Sequence, residues 1–303
     1  AAAMSITALK TGLCIGGSPI RRQTEMLKEK PAVIIGNPAR LMELIHLKKI
    51  KTAGIEAIIF DEADRMTVKE LRDDTTGLLA LMPETVQFIA CSATINEQTK
   101  RIFAQSLPDQ SKTNAMQLIQ LPGEDILRKR IAHWAIFAER RDKIDILRQF
   151  LNAEKPEKAL VFTSRSDQVD NIVSKLTFKK IPCAGLYSKT DKKQRKAAID
   201  QFRNGKIKVL VTSDLAARGL DIQNISHVIQ MDMPLKDDFF VHRAGRTARA
   251  GKTGINTVIG DEYEMQEYAA LEKRLKIIVH PKQLYGGKVA DPMSDATPEQ
   301  QQH

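Results

Sequence analysis

One short segment, residues 57–66, constrains the fold more than any other part of the chain. It reads Ala-Ile-Ile-Phe-Asp-Glu-Ala-Asp-Arg-Met, an apolar run that ends in acidic residues. The apolar run predicts a buried strand, and ligands of an open α/β sheet bind beyond the carboxyl ends of its strands. Acids at such an edge commonly hold a hard cation together with a phosphate substrate. The segment therefore predicts a parallel α/β sheet with a phosphate-binding edge; a solvated acidic turn is the alternative.

Length and charge narrow the class of protein. A chain of 303 residues suggests about two domains. The net charge of +10 favours polyanionic partners such as RNA, DNA or an anionic membrane surface, although many basic proteins bind no nucleic acid. No apolar stretch approaches the ~18–20 residues of a membrane span, and we expect no secretory signal. The three cysteines have no metal-ligand spacing, which predicts reduced thiols in a cytoplasmic protein.

Short apolar runs alternate with helical periodicity, and this pattern occurs twice, which indicates parallel βαβ architecture. Predicted strands cover residues 32–35, 55–60, 86–91, 158–162, 183–186, 208–211, 227–231 and 255–259. Predicted helices cover residues 39–47, 166–176, 192–202, 239–247 and 261–276. We expect a first domain at residues 1–122, a linker at 123–130, a second domain at 131–285 and a disordered polar tail at 286–303.

In the first half of the chain, three predicted strands are each followed by polar residues. At the acidic turn, we expect Asp61 to hold Mg²⁺ through water and Glu62 to orient or deprotonate the water that attacks a γ-phosphate. Ser92-Ala93-Thr94 would place two hydroxyls beside these acids, and a helix N-cap explains that segment equally well. Residues 36–40 would hold a phosphate at a helix N-terminus, with a plain strand–turn–helix link as the alternative.

Two segments of the second half suit phosphate and sugar. Within residues 211–221, the hydroxyls of Thr212 and Ser213 suit a sugar-phosphate backbone and Asp221 suits a ribose hydroxyl; helix capping is the alternative. Residues 242–249 carry three arginines at a spacing of three, which predicts one basic helical face. Arginine suits phosphate best, so we expect arginine fingers there, with a solvated basic face as the alternative.

The remaining polar features carry less information. The basic helix start at residues 189–196 is a solvated face or a contact to a nucleic-acid backbone. Gly251-Lys252-Thr253 looks like the end of a phosphate-binding loop, but Arg246 stands where that pattern needs glycine. His133 and His227 have no partner spacing, and no chemistry is assigned to them.

Taken together, residues 12–280 resemble the DEAD-box ATP-dependent RNA helicases. The resemblance rests on Asp61-Glu62-Ala63-Asp64, Ser92-Ala93-Thr94, Val161-Phe162-Thr163, Thr212-Ser213-Asp214, Arg218-Gly219-Leu220-Asp221 and the run from His242 to Gly251. It implies an α/β fold of two RecA-like domains with mainly parallel sheets. It also implies ATP and Mg²⁺ as cofactors and single-stranded or short duplex RNA as partner. We expect a monomer that does not bind membranes.

The resemblance also implies roles for individual residues. Asp61 and Glu62 match the Mg²⁺ and hydrolysis carboxylates, while Arg246 and Arg249 match the arginine fingers. The residues implied to couple nucleotide and RNA binding are Asp64, Ser92 and Thr94. Those implied to bind nucleotide are Asp221, which matches the ribose contact, and His242 and Arg243, which also tie the domains together. Those implied to contact RNA are Gly36, Arg40, Thr163, Arg195, Thr212 and Ser213.

The sequence departs from the family pattern in its first half. The adenine-reading glutamine motif, the Gly-Lys-Thr phosphate loop and the Pro-Thr-Arg segment are absent from it. We therefore expect an incomplete first domain whose strand before Asp61 lacks a neighbour, and little ATPase activity from this chain as written. Ala248 replaces a common glycine, and we expect that change to be harmless. The alternatives to an RNA helicase are a catalytically inactive RNA- or protein-binding fragment and a DNA helicase of the same superfamily.

Overall fold

The structure is a computed structural model that describes residues 9–92, 97–107, 117–119, 126–187, 190–217 and 222–292. The chain divides into two compact units, residues 1–119 and 120–303. Over the described ranges, no helix is long and apolar enough to cross a lipid bilayer.

Short parallel strands form the sheets of the first unit. They are β1 (Thr11–Cys14), β2 (Val33–Gly36), β3 (Ala57–Phe60) and β4 (Gln87–Ala90). β1 pairs with β2 and β3 pairs with β4, which gives two separate two-stranded sheets among the described residues. As expected from the sequence, the other edge of β3 has no partner strand within the described part of the chain.

Helices cover the sheets of the first unit. They are α1 (Ile20–Leu27), α2 (Pro38–His46), α3 (Ala63–Met66), α4 (Lys69–Ala80) and α5 (Glu97–Ser106), with a 3-10 turn at Thr52–Gly54. The proline at the start of α2 suits a first helical turn, where its missing N–H is not needed. The rings of Phe60, Phe88 and Phe103 lie 5.1–5.9 Å apart and join β3, β4 and α5 in one apolar core.

The second unit contains one sheet with the strand order β12-β11-β5-β10-β9-β6-β8-β7. Its strands are β5 (Ile131–Phe137), β6 (Ala159–Thr163), β7 (Cys183–Leu186), β8 (Val209–Ser213), β9 (His227–Gln230), β10 (Gly254–Gly260), β11 (Val279–Tyr285) and β12 (Lys288–Ala290). Neighbouring strands are parallel except for the antiparallel pair β11–β12. β6, β8 and β9 are buried throughout, as expected for parallel strands covered on both faces.

The helices of the second unit are α6 (Ile126–Lys129), α7 (Lys143–Glu154), α8 (Ser166–Phe178), α9 (Lys192–Arg203), α10 (Asp214–Ala217), α11 (Asp237–Ala244) and α12 (Glu262–Leu275). Two of them begin at side-chain caps. Asp191 accepts hydrogen bonds from the first-turn N–H groups of α9, and Asp261 forms a capping box with Glu264 at the start of α12.

The predicted α/β class with mainly parallel sheets is confirmed. Each of the eight predicted strands is present within two residues of its expected bounds. β1, β5, β11 and β12 were not predicted.

Three predicted boundaries are wrong. Residues 126–130 were expected in a linker, but α6 packs Leu127 into the core of the second unit. A disordered tail was expected from Gly286, but residues 288–290 form β12 against β11, so the antiparallel hairpin extends the sheet. The helix predicted at 239–247 ends at Ala244, because the chain turns at residues 245–250.

Candidate functional site

The acidic turn of the first unit lies at the carboxyl ends of two paired strands. β3 and β4 are parallel neighbours, with Phe60 opposite Ala90. The N–H of Cys91 donates to the carbonyl of Phe60 at 2.8 Å, and the N–H of Ala63 donates to the carbonyl of Cys91 at 3.0 Å. Backbone hydrogen bonds therefore hold the turn against the segment that follows β4, at the sheet edge predicted from the sequence.

Asp61 and Glu62 are exposed at this edge. Glu62 adopts a left-handed backbone conformation with φ of 51°, and its N–H donates to Oδ1 of Asp61 at 2.9 Å. This conformation costs a residue with a side chain about 1–2 kcal/mol, and such strain is concentrated at functional sites. The turn thus presents two adjacent carboxylates to solvent and buries neither.

The carboxylate of Asp61 fits a hydrated Mg²⁺ ion. Among the described residues, no group of three or more His, Cys, Asp or Glu side chains is placed to enclose a metal. Mg²⁺ keeps several water ligands and commonly binds through one or two carboxylates together with substrate phosphates. An exposed carboxylate at a sheet edge is such a ligand, so Asp61 is the residue that would hold the ion.

Ser92 contacts the acidic turn. Its Oγ accepts a hydrogen bond from the N–H of Asp64 at 3.4 Å. The hydroxyl of Thr67 donates to the carbonyl of Asp64 at 2.9 Å and lies 3.0 Å from the hydroxyl of Thr99 in α5. These two buried threonines connect the turn to α5, a link that the sequence analysis missed. Thr94, the other predicted coupling hydroxyl, lies outside the described residues.

Gly36 and Arg40 organise the backbone around the end of β2. A Cβ at Gly36 would lie 2.4 Å from the carbonyl oxygen of Cys14, so glycine is needed for the close approach of β2 to β1. Nη1 of Arg40 donates to the carbonyl of Ser18 at 3.2 Å, and Nε lies 2.9 Å from the Glu43 carboxylate. The guanidinium of Arg40 is thus mostly buried and holds the loop before α1, and its contact with a phosphate stays a prediction.

The hydroxyls predicted to contact RNA in the second unit are buried. Thr163, Thr212 and Ser213 end the neighbouring strands β6 and β8, which are buried throughout. The hydroxyl of Thr163 donates to Oδ2 of Asp232 at 2.8 Å, and that of Thr212 donates to the carbonyl of Ser213 at 3.1 Å. All three hydroxyls are thus buried within the second unit, and their contact with RNA stays a prediction.

Arg243 is buried at the centre of an ion cluster formed with Asp214 and Asp232. Nε and Nη2 donate to the two oxygens of Asp214 at 2.6 and 2.7 Å, and Nη1 donates to Oδ1 of Asp232 at 3.2 Å. The remaining N–H groups reach Ser164 Oγ at 2.8 Å and Gln230 Oε1 at 3.3 Å. Burial opposes the charge, but the two carboxylates raise the pKa of Arg243 nonetheless.

This cluster corrects the predicted role of Arg243. A guanidinium has five N–H donors, and those of Arg243 are occupied within the second unit. No donor is left for a nucleotide, so the expected nucleotide contact of Arg243 is wrong in this structure. The residue organises the ends of three strands instead.

The other arginines of residues 242–249 do not share a helical face with Arg243. α11 ends at Ala244, and Arg246 and Arg249 lie in the turn that follows it. Arg249 is exposed and its Nε donates to the carbonyl of Gly245 at 3.0 Å, while Arg246 and His242 are half-buried. The spacing of three was therefore misinterpreted, because the chain leaves the helix one residue after Arg243.

Arg195 and Asp221 are the last two of the predicted site residues. Nη2 of Arg195 donates to the carbonyl of Ala216 at 2.8 Å, which attaches α9 to α10 directly after β8. Arg195 thus holds α10, which begins directly after Ser213. Asp221, the predicted ribose contact, lies outside the described residues.

Comparison with known proteins decides the family. Residues 2–102 match the DEAD/DEAH box helicase family, and residues 142–251 match the helicase conserved C-terminal domain. The DEAD-box ATP-dependent RNA helicase CshC of Bacillus cereus is 31% identical over 287 residues, which cover 94% of this chain and 71% of CshC. The chain belongs to the DEAD-box RNA helicase family.

Relatives within the DEAD-box family differ in length from this chain. CshA of Bacillus subtilis is 31% identical over 261 residues, which cover 86% of this chain and 52% of CshA. This DEAD-box chain therefore spans about half the length of the CshA relatives that it matches.

Solved DEAD-box structures share the fold. Saccharomyces cerevisiae Dbp5 bound to RNA and ADP BeF3 has a TM-score of 0.75 at 23% identity, covering 91% of this chain and 71% of Dbp5. Mss116 bound to ssRNA and UDP-BeF has a TM-score of 0.76 at 20% identity, covering 91% of this chain and 58% of Mss116. At these identities the likeness concerns the fold alone, and it confirms the prediction of two RecA-like domains.

Several polar residues of this DEAD-box chain escaped the sequence analysis. Asp232 follows the predicted strand at residues 227–231 just as Asp61 follows the predicted strand at residues 55–60, and that shared position was the available signal. Gln230, Asn256 and His133 lie inside otherwise apolar strands, and no spacing between them indicates contact. Only the sheet order, which brings β5, β10 and β9 together, shows that they meet.

Proposed function

We propose that this DEAD-box chain serves ATP-dependent RNA remodelling, in which ATP hydrolysis is coupled to RNA binding and local separation of duplex strands. One observation carries the proposal: the exposed Asp61–Glu62 turn at the edge of a parallel sheet. Phosphoryl transfer needs charge neutralisation and an oriented nucleophile, and two adjacent carboxylates suit both needs. The relatives CshC and CshA, named ATP-dependent RNA helicases, support the same reading.

Each residue of the proposed site has one task. Asp61 holds hydrated Mg²⁺, which offsets the negative charge of the phosphates when it is bound. Glu62 orients the attacking water and accepts its proton. Arg246 and Arg249 supply positive charge to the phosphate oxygens on which negative charge develops.

RNA is the proposed polymer partner. The net charge of +10 favours a polyanion, and the Dbp5 and Mss116 structures are of proteins bound to RNA. Gly36, Arg195 and the segments that they hold are the proposed sites of backbone contact. We propose that the protein acts as a cytoplasmic monomer.

A second candidate function is RNA binding without ATP turnover. It is favoured by one feature of the sequence, the absence of a Gly-x-x-x-x-Gly-Lys-Ser/Thr phosphate loop. The amides and lysine of such a loop cradle the phosphates of the nucleotide. Asp61 and the arginines cannot replace them, so we expect slow phosphate release from this chain by itself.

Phosphate release and RNA binding separate the two candidates. Release is measured with Mg·ATP in the presence and absence of single-stranded RNA, for the wild-type chain, Glu62→Gln and Glu56→Gln. Glu56 is an exposed carboxylate just before β3, at the opposite end of that strand from Glu62, and serves as the matched control.

RNA-stimulated release that Glu62→Gln abolishes and Glu56→Gln preserves supports the ATP-dependent function. RNA binding, seen by fluorescence anisotropy, without stimulated release supports the second candidate. Tighter binding of DNA of the same sequence would contradict both and favour a DNA helicase.

A further inference from the structure

A row of buried polar side chains crosses the sheet of the second unit. His133 on β5, Asn256 on β10 and Gln230 on β9 are 1%, 0% and 0% exposed. Asn256 lies directly opposite His133 in the register, and Gln230 is two positions along from the residue opposite Asn256. Because side chains alternate between faces of a strand, all three project from the same face. Polar groups so deep in a sheet are costly unless each one has a partner.

These side chains form one continuous series of hydrogen bonds, here called the buried polar chain. Nη1 of Arg243 lies 3.3 Å from Oε1 of Gln230, whose Nε2 lies 2.8 Å from Oδ1 of Asn256. Nδ2 of Asn256 lies 3.2 Å from Nδ1 of His133, whose Nε2 lies 2.8 Å from the carbonyl of Leu127 in α6.

The direction of every bond in the buried polar chain is fixed by its two ends. A guanidinium can only donate and a carbonyl can only accept. Gln230 and Asn256 therefore each accept through oxygen and donate through nitrogen, and His133 is neutral with its proton on Nε2. Burial lowers the pKa of His133, which agrees with a neutral ring.

The far end of the buried polar chain reaches the segment after β6. Arg243 donates to Asp232 as well as to Gln230. Asp232 in turn accepts hydrogen bonds from the hydroxyl of Thr163 at 2.8 Å and from the N–H of Ser164 at 2.8 Å. One series of contacts thus runs from α6 to the strand end at which family resemblance places an RNA contact.

We propose that Gln230, Asn256 and His133 are positioning residues that hold Arg243 in a single orientation, so that Asp232 fixes the Thr163–Ser164 segment for RNA binding. The RNA part of this statement rests on the proposed function. Apolar side chains of similar volume would fill the same space at lower cost in desolvation. What they would not supply is a directional partner for Nη1 of Arg243.

The first test is hydrogen exchange in the full chain. Asn256→Leu keeps the branched shape of the side chain and removes both links of residue 256 within the buried polar chain. We expect the amide of Ser164 to exchange about tenfold faster, because each lost link weakens the hold on Arg243 and Asp232. Val258→Ala is the control for lost stability, because Val258 lies fully buried on the same strand and face but has no polar link.

Exchange at Ser164 that rises equally in Asn256→Leu and Val258→Ala would overturn the proposal. Should Asn256→Leu fail to fold, Gln230→Met decides instead. It keeps the length of the side chain and removes both the acceptor for Arg243 and the donor to Asn256, so it should speed exchange at Ser164 in the same way. Unchanged exchange in Gln230→Met would likewise overturn the proposal.

The second test is a double-mutant cycle on RNA affinity, with a short oligouridine as the probe. Asn256→Leu and Thr163→Val should each weaken binding about tenfold, and the double variant should lose little more, because both act on one contact series. Fully additive losses would contradict positioning. If the wild-type chain does not bind the probe, the proposed function fails, and exchange at Ser164 still decides the positioning role.

Discussion

Arg243 carries a buried charge that its hydrogen-bond partners make tolerable. Arg243→Met keeps most of the volume and leaves the carboxylates of Asp214 and Asp232 without their cation. Breaking one side of a buried ion pair costs about 3–5 kcal/mol, so we expect a loss of that size in the free energy of unfolding. Urea unfolding followed by the fluorescence of Trp134 measures it, since this single tryptophan lies in the second unit.

The control is an exposed arginine in an equally short ion pair. Arg165 lies 2.6 Å from Asp167, and both side chains are mostly in solvent. Exposed pairs contribute little to stability, so Arg165→Met should leave the urea midpoint nearly unchanged. Equal losses in the two variants would show that the burial of Arg243 has been misinterpreted.

Two alanines after α11 occupy a backbone region that favours glycine. Ala248 has φ of 56° and Ala250 has φ of 52°, so the expectation that Ala248 replaces glycine harmlessly is wrong. Ala250 is exposed, and Ala250→Gly relieves strain without loss of packing. We expect the free energy of unfolding to rise by about 1 kcal/mol, as measured by urea unfolding.

The same substitution in a helix should change the free energy of unfolding in the opposite direction. Ala197 is exposed within α9, where glycine is less favourable than alanine by about 1 kcal/mol. Ala197→Gly should therefore lower stability while Ala250→Gly raises it. Destabilisation by both substitutions would refute the left-handed conformation of Ala250.

His227 links stability to pH. Burial lowers its pKa from 6.5 to about 4. The unfolded chain therefore takes up a proton near pH 6.5 that the native protein refuses until about pH 4, so stability falls as pH decreases through that window. Between pH 7 and pH 5 we expect a loss of about 2 kcal/mol, reduced by Glu154, whose carboxylate lies 3.8 Å from Nε2 and would favour the protonated ring.

Urea unfolding at both pH values in the wild-type chain and in His227→Gln measures the contribution of this histidine. The variant should lose less stability on acidification than the wild type. His133, whose pKa is also lowered by burial, adds a loss of the same sign in both proteins. An unchanged pH dependence in His227→Gln would show that His227 is accessible to protons in the folded protein.

At the scale of elements, most strands were predictable because apolar residues dominate their sequences. β6 and β8 begin with uninterrupted apolar runs, and β10 was found despite Asn256. β5 was missed although it is largely apolar, and its His133 is tolerated only because Asn256 and Leu127 supply partners from distant parts of the chain. The acidic turn after β3 was predictable for the opposite reason, since its strand and acids are adjacent in sequence.

The β11–β12 hairpin was missed because Pro281 and the Gly286-Gly287 turn resemble the start of a polar tail. In the structure, Val289 packs against the core and Lys282 lies 5.5 Å from the ring of Trp134. Truncation after Tyr285 removes β12, and we expect it to lower stability by about 1–2 kcal/mol through lost apolar burial. Urea unfolding measures this loss, and the fluorescence of Trp134 should shift to longer wavelength.

Truncation after Pro292 is the matched control for the hairpin. It removes the polar end of the sequence and keeps both strands. We expect this variant to match the wild-type chain in urea midpoint and in fluorescence. If both truncations behave alike, β12 contributes nothing to the second unit.

At the scale of the whole molecule, the two units differ in how completely their sheets are covered. In the second unit, the central strands are buried on both faces. Among the described residues of the first unit, two separate two-stranded sheets leave Leu13, Ile35 and Ile59 exposed by 55%, 46% and 63%. Isolated two-stranded pairings are marginal without further strands or helices, so the same number of strand residues yields less stability in the first unit.

This difference in burial predicts that local unfolding costs less free energy in the first unit than in the second. Local opening exposes backbone to proteases and to exchange, and its free energy follows the apolar burial of each region. Under limited thermolysin digestion of the full chain, we expect cuts within residues 9–107 first and a surviving fragment that contains β5 to β12. Hydrogen exchange should agree, with the amides of β6 protected far longer than those of β3, although both strands are apolar and parallel. A surviving fragment from the first unit, with cuts in β6 or β8, would mean that the exposed faces of β1, β2 and β3 are covered in solution.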